Sequence, residues 1–144
     1  MMTGVLALTV AAIFTGAAVY VNVAEQPARL VLDDRALLAE WKPSYKRGAM
    51  MQASIALIGC VLGLIAWAQT SQAGFLIGAI AMVAPWPWTL IAIKPTNDAL
   101  LATEPDRAGP QTRALIVKWG ALHAVRTALG ALATIAYLWA CMPR

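Results

Sequence analysis

The chain has 144 residues, of which 60% are apolar and 12% charged, with mean hydropathy +0.67 and formal net charge +4. Soluble domains carry about a quarter charged residues, so this composition excludes an ordinary soluble fold and points to the lipid bilayer as solvent. The basic excess is diluted by neighbouring acids, which argues against a nucleic-acid surface.

Four apolar runs have spanning length, about 4–24, 49–68, 73–93 and 114–141. Roughly 20 residues at about 1.5 Å each cross about 30 Å of hydrocarbon. In lipid the backbone must satisfy its own polar groups, so each run reads as a helix. The expected fold is all-α, an integral membrane antiparallel four-helix bundle forming one domain over residues 1–144.

The first run lacks a basic leading segment, and its apolar part is longer than that of a cleaved signal; it reads as a retained span. Thr15, Ala18, Asn22, Glu25 and Arg29 recur along it at spacings of three and four. The following segment, 25–47, is charged. Asp33-Asp34 can start a helix there, Arg35–Trp41 reads as a short amphipathic stretch, and Lys42-Pro43 is expected to end it. In the second run Tyr45, Gly48, Gln52, Gly59 and Gly63 share a side, and the uncharged residues 69–72 leave room only for a hairpin turn.

The third run places Gly74, Gly78, Ala81, Pro85 and Trp88 on one side. Pro85 and Pro87 remove two backbone donors, so this helix is expected to break there. Irregular backbone at membrane depth is tolerated where it is buried in protein or lines a cavity. In the segment 94–113, Thr96 or Asn97 can cap a short helix through Asp98–Leu101, and Glu104-Pro105-Asp106 and Gly109-Pro110 are turn signals. The fourth run carries the stripe Trp119, His123, Arg126, Gly130, Ala133 and Tyr137. Small residues let membrane helices approach closely and polar residues turn away from lipid, so these four stripes are the expected interior.

All seven acidic residues lie in 25–47 and 94–113, with every basic residue except Lys118, Arg126 and Arg144. By the positive-inside rule both segments are cytoplasmic and both termini outside. The expected setting is a multi-pass protein of the bacterial inner membrane.

His123 is the sole histidine, and Arg126 lies one turn deeper in the same apolar run. An arginine at the centre of a span costs about 2.5–3.5 kcal/mol on insertion scales, so an intramembrane ionisable pair marks a candidate site. Arg126 can snorkel back toward Glu25 or Asn22. Gln52 and the Pro85–Trp88 segment enter at similar depth. Together with Trp41, Trp86, Trp88 and Trp119 they describe an aromatic-lined pocket with few polar groups. Plainer readings stand beside this one. His123 and Arg126 could be glue between helices, the tryptophans an interfacial belt, and Lys118 a snorkelling anchor. Cys60 and Cys141 have neither metal-type spacing nor matched depth. One histidine and no CxxCH argue against haem.

Several of these residues together resemble a known family. Tyr20-Val21-Asn22 with Pro27, Trp41 with Tyr45, Pro85 followed by the run Lys94-Pro95-Thr96-Asn97-Asp98-Ala99-Leu100, and Trp119, His123, Arg126 and Thr127 resemble the anthrone-oxygenase-like family of small four-span membrane proteins. The resemblance implies oxidation of polyketide anthrones to anthraquinones by molecular oxygen, with no metal or flavin cofactor. The residues suit that chemistry. A neutral imidazole can take the acidic C–H proton of an anthrone, and a cation or amide can hold the enolate oxygen. His123 is the candidate base, Arg126 the enolate stabiliser, Asn22 or Asn97 an orienting donor, and Glu25 a further polar group of the catalytic set. Trp41, Tyr45, Gln52, Trp86, Trp88, Asn97 and Trp119 are the candidate substrate contacts.

The expected partners are the bilayer and an apolar small molecule, with self-association left open. Two other classes fit the same residues. A small transport or lipid-binding module would use Glu25, His123 and Arg126 as a relay, and a structural subunit of a membrane complex would use the two charged segments as its contact surface.

Overall fold

The structure is a computed structural model and describes residues 2–143. Arg144, the one basic residue at the C-terminal end, lies outside the described residues. Among those described, four helices are long and apolar enough to cross a membrane: α1 (Met2–Arg29), α2 (Asp34–Thr70), α3 (Ala73–Ala102) and α4 (Pro110–Cys141). Each packs on its neighbour in chain order, and α4 closes the ring against α1. The expected membrane bundle is thus present, and it contains no strand among the described residues.

The stripes read from the sequence face inward. Small residues make this possible. Gly63 and Gly78 pass directly against the Tyr137 ring, where a Cβ would collide, and the Tyr137 hydroxyl donates to the Gly59 carbonyl at 2.8 Å. At Ser71 the chain turns with φ 57°, and its N–H donates to the Trp67 carbonyl at 2.7 Å, closing α2 in a left-handed cap.

The helices run further than the apolar runs. At about 1.5 Å per residue α2 alone is roughly 55 Å long, well beyond a hydrocarbon core of about 30 Å. Its start is as expected: Asp33 accepts a hydrogen bond from the Ala36 N–H at 3.0 Å. Its expected stop at Lys42-Pro43 is not there, because Pro43 sits inside the continuous helix. A proline in a helix interior costs about 3 kcal/mol. Here it is offset by packing on both sides. Leu37, Leu38 and Trp41 are fully buried, and Trp41 stacks on Tyr45 across the proline with ring centroids 4.8 Å apart. Thr96 and Asn97 likewise do not cap a helix. Both are buried within Lys94–Ala102, which continues from the third span, and the Asn97 side chain bonds Tyr45 instead. At the Gly109-Pro110 turn, α4 starts at Pro110, and the Gly109 N–H donates to Thr112 Oγ1 at 3.3 Å.

The third helix is interrupted where its prolines stand. Val83 ends one helical piece, and Pro85–Trp88 forms a new turn in which the missing proline donors fall at a helix start. Two π-helical turns also occur, Val21–Glu25 in α1 and Thr89–Ile93 in α3. Each lies just before a proline, Pro27 and Pro95. A proline ring collides with the carbonyl four residues back, here Val23 and Ile91, and a widened turn relieves that collision.

Ion pairs tie the charged end together. Arg113 Nε lies 2.6 Å from Asp34 Oδ1, and its other nitrogens donate to the Leu30 and Leu32 carbonyls at 2.8 and 2.5 Å. One arginine of α4 thereby closes the turn between α1 and α2. Two apolar cores result. One holds Phe14, Met82 and Tyr137, and the other holds Leu37, Trp41, Ile93 and Ile116. A layer of polar side chains separates them.

Candidate functional site

Both π turns carry a polar residue of that layer: Asn22 on α1 and Thr89 on α3. Facing them from α4 are His123 and Arg126, which are 4% and 8% exposed. Gln52 of α2 completes the layer at 2% exposure.

Asn22 and His123 form a defined unit. The Asn22 amide donates through Nδ2 to the Gly120 carbonyl at 2.9 Å. A carbonyl can only accept, so this contact fixes which end of the amide is nitrogen. Asn22 Oδ1 therefore faces His123 Nδ1 at 2.9 Å and also accepts from Thr127 Oγ1 at 2.8 Å. Because Oδ1 accepts only, Nδ1 must carry the hydrogen. In the neutral ring Nε2 then holds the lone pair, and no protein group among the described residues bonds it.

Arg126 does not reach Glu25 or Asn22, as its depth in the sequence had suggested. It donates to Gln52 Oε1 at 3.0 Å and to Thr89 Oγ1 at 3.1 Å, and its buried Nε has no partner among the described residues. Among the described residues no carboxylate pairs with it. Glu25 instead binds Arg29, one turn on, and accepts from Ser44 Oγ. Arg29 also lies 3.1 Å from Glu40 Oε2 and is 3% exposed. Its guanidinium stands 5.8 Å from the Trp119 ring centroid, and His123 lies 5.1 Å from the same residue's ring. Guanidinium and imidazole thus both pack on the indole beside a cleft.

That cleft has a free volume of about 40 Å³. His123, Arg126, Gln52, Glu25, Tyr45, Asn97 and Trp119, all singled out from the sequence, line it together with Arg29, Ser44 and Thr89. Asn97 donates to the Tyr45 hydroxyl at 3.0 Å, so these two form one wall. The remaining sequence candidates stand elsewhere. Asn22 holds His123 from behind. Trp41 lies behind the wall, edge-on to Trp119 at 5.7 Å. The Trp88 indole donates to the Leu122 carbonyl at 3.0 Å, anchoring α3 to α4. Trp86 belongs to a separate groove shared by α2 and α3.

Sequence reasoning missed Arg29's place in the site, although Arg29 stands four residues after Glu25 on the same stripe. Ser44 and Thr89 carried no signal, since a single hydroxyl in a span is as often bonded to its own helix. Among the described residues no three His, Cys, Asp or Glu side chains converge as metal ligands would, so the layer's chemistry is that of imidazole, guanidinium, amide and hydroxyl groups.

Residues 41–136 match the anthrone oxygenase family, a stretch that includes every layer residue except Asn22. Over 99 residues the chain is 31% identical to an anthrone oxygenase of the fungus Aspergillus fumigatus. The aligned part is 63% of this chain and 62% of that relative. No solved structure matches the chain.

Proposed function

The chain belongs to the anthrone oxygenase family, and from that premise we propose that it is a membrane-embedded oxygenase that oxidises a lipid-soluble, anthrone-like aromatic with molecular oxygen, using its own side chains and no cofactor. The observation that carries the reading is the Asn22–His123 unit, whose second ring nitrogen has no partner among the described residues, beside a cleft that His123 and the Arg126 guanidinium both line.

The chemistry is then as follows. His123 Nε2 takes a proton from the methylene carbon opposite the ketone. The electron pair left behind spreads to the ketone oxygen, where Arg126 stabilises it. The carbanion carbon bonds to dioxygen, and the proton returns to give a hydroperoxide. Loss of the second C–H proton with hydroxide then cleaves the O–O bond. One oxygen atom of O₂ becomes the new carbonyl and the other leaves as water. The methylene carbon gives up four electrons and O₂ accepts four, so no external reductant is needed. Thr127 and Gly120 act through Asn22 as positioning groups, and Gln52 and Thr89 hold Arg126.

The reading includes orientation. With the ion-paired end cytoplasmic, both termini are outside, and the polar layer lies in the cytoplasmic leaflet of a cell membrane. The test is conversion of anthrone to anthraquinone by the purified full chain in detergent, followed by absorbance together with oxygen uptake, in metal-chelated buffer. One O₂ consumed per anthraquinone formed, and loss of both signals in His123→Ala, is the expected result. Wild-type protein without turnover on any anthrone, or a fully active His123→Ala protein, would end this reading.

A further inference from the structure

The cleft beside His123 is too small for a multi-ring substrate. A water needs about 10–15 Å³ of such free volume. The cleft's 40 Å³ therefore holds about three or four waters, or fewer molecules of dioxygen. A second cavity adjoins it, with a free volume of about 140 Å³. It runs between α2 and α3, and Ala49, Thr89 and Arg126 line both spaces. Its other walls are apolar: Ala53 and Ala56 on one side, Trp86 and Leu90 on the other. Trp86 is 39% exposed and Leu90 59%, so the outer rim opens on the bilayer side of the bundle. An apolar cavity of about 150 Å³ takes up a benzene ring in another protein. At the inner end waits Arg126, more than nine-tenths buried, with a buried Nε that no group among the described residues accepts from.

We propose that this groove seats one ring of a flat, multi-ring aromatic ligand that enters sideways from the lipid, the other rings lying over its exposed rim and the ketone or enolate oxygen on Arg126. The seated ring lies against Ala53, Ala56 and Trp86, where alanines leave the width that larger side chains would close. The polar cleft beside His123 is left for dioxygen and for a water that hands the methylene proton on to His123 Nε2. Ala53 and Trp86 are then specificity residues, and the route is lateral. The choice of ligand rests on the oxygenase reading above, whereas the position of the rings rests on the two volumes.

The test uses the full chain in lipid nanodiscs, with anthraquinone partitioned into the bilayer as probe and quenching of tryptophan fluorescence as readout. Wild-type protein is expected to show saturable quenching. Ala53→Phe, which fills the groove, should weaken binding about tenfold, the size expected of overpacking by several carbons. Ile135→Phe, on the lipid-exposed face of α4, should leave binding unchanged. Leu90→Trp narrows the same groove from its exposed rim and should weaken binding even if Ala53→Phe assembles poorly. Absence of saturable binding to wild type, or binding to both groove variants within about twofold of wild type, would overturn the proposal. Anthrone turnover, measured on the same samples, separates the two readings. Groove-dependent binding without turnover sinks the oxygenase and keeps the groove, while turnover with an unchanged KM in both groove variants sinks the groove alone.

Discussion

Asn22 Oδ1 and His123 Nδ1 stand 2.9 Å apart although 101 positions separate them in the chain, and the Asn22 amide is itself fixed by the Gly120 carbonyl. The contact exists because a π turn places Asn22 toward α4. It makes the protonated ring nitrogen of His123 a consequence of the fold.

The tautomer can be measured directly. Nitrogen-15 NMR of the ring should show the hydrogen on Nδ1 in wild type. Asn22→Ala should release that preference while leaving His123 in place. Thr127 Oγ1 and the Gly120 carbonyl also lose a partner, and each unsatisfied buried group costs about 1–3 kcal/mol, so a lower melting temperature should accompany the change. A wild-type ring protonated mainly on Nε2 would reject the arrangement.

His123→Ala should cut turnover about 10²–10⁴-fold, the usual contribution of a positioned base. Asn22 keeps its bonds to Thr127 and Gly120 in this variant, so the detergent melting temperature should change little. If His123 were only helix glue, activity and stability would instead fall together.

Arg126 is a buried cation held, among the described residues, by the neutral groups Gln52 and Thr89. Replacing Arg126 and Gln52 together, by Arg126→Met and Gln52→Leu, removes the charge and its main acceptor at similar volume. Swaps of buried charged groups for apolar ones often stabilise by about 1–4 kcal/mol. The double variant should therefore melt at higher temperature and have no activity. Arg126→Lys should assemble but turn over poorly, because lysine lacks the planar fork that reaches both partners. A double variant that melts lower than wild type would show that Arg126 is needed to hold the bundle.

Arg29→Ala should be among the most destabilising changes in the chain. It strands Glu25 and Glu40, removes the cation over Trp119, and breaks a half-buried network whose carboxylates are 24% and 37% exposed, so the loss should fall below the roughly 3–5 kcal/mol of a fully buried pair. Thermal unfolding in detergent measures it. A shift no larger than that of an exposed control such as Arg35→Ala would show that the network contributes nothing.

Orientation has its own test. Reporter fusions at residue 144 should be active in a form that works only outside the cytoplasm, because the acids and most bases lie in 25–47 and 94–113. A fusion active only inside would reverse the arrangement.

The sequence by itself determined the four spans and which side of each faces inward. Lipid leaves the backbone one local solution, the helix, and penalises any polar face turned outward, so length and periodicity suffice. Asn22, Gln52, His123 and Arg126 could be placed in the interior on those grounds. Their partners could not. Each π turn adds a residue and rotates the side chains that follow by about 100°, the angle per helical residue, so a fixed spacing no longer says which neighbour is met. Arg126 thus meets Thr89, which one of these turns carries, and Gln52, while Glu25 keeps its ordinary neighbour four residues on, Arg29, and adds Ser44 across the bundle. Pro43 likewise reads locally as a stop and is carried through by the burial of Trp41 and its stacking on Tyr45. Local rules fix what a residue cannot do in lipid; only packing between helices decides what it does instead.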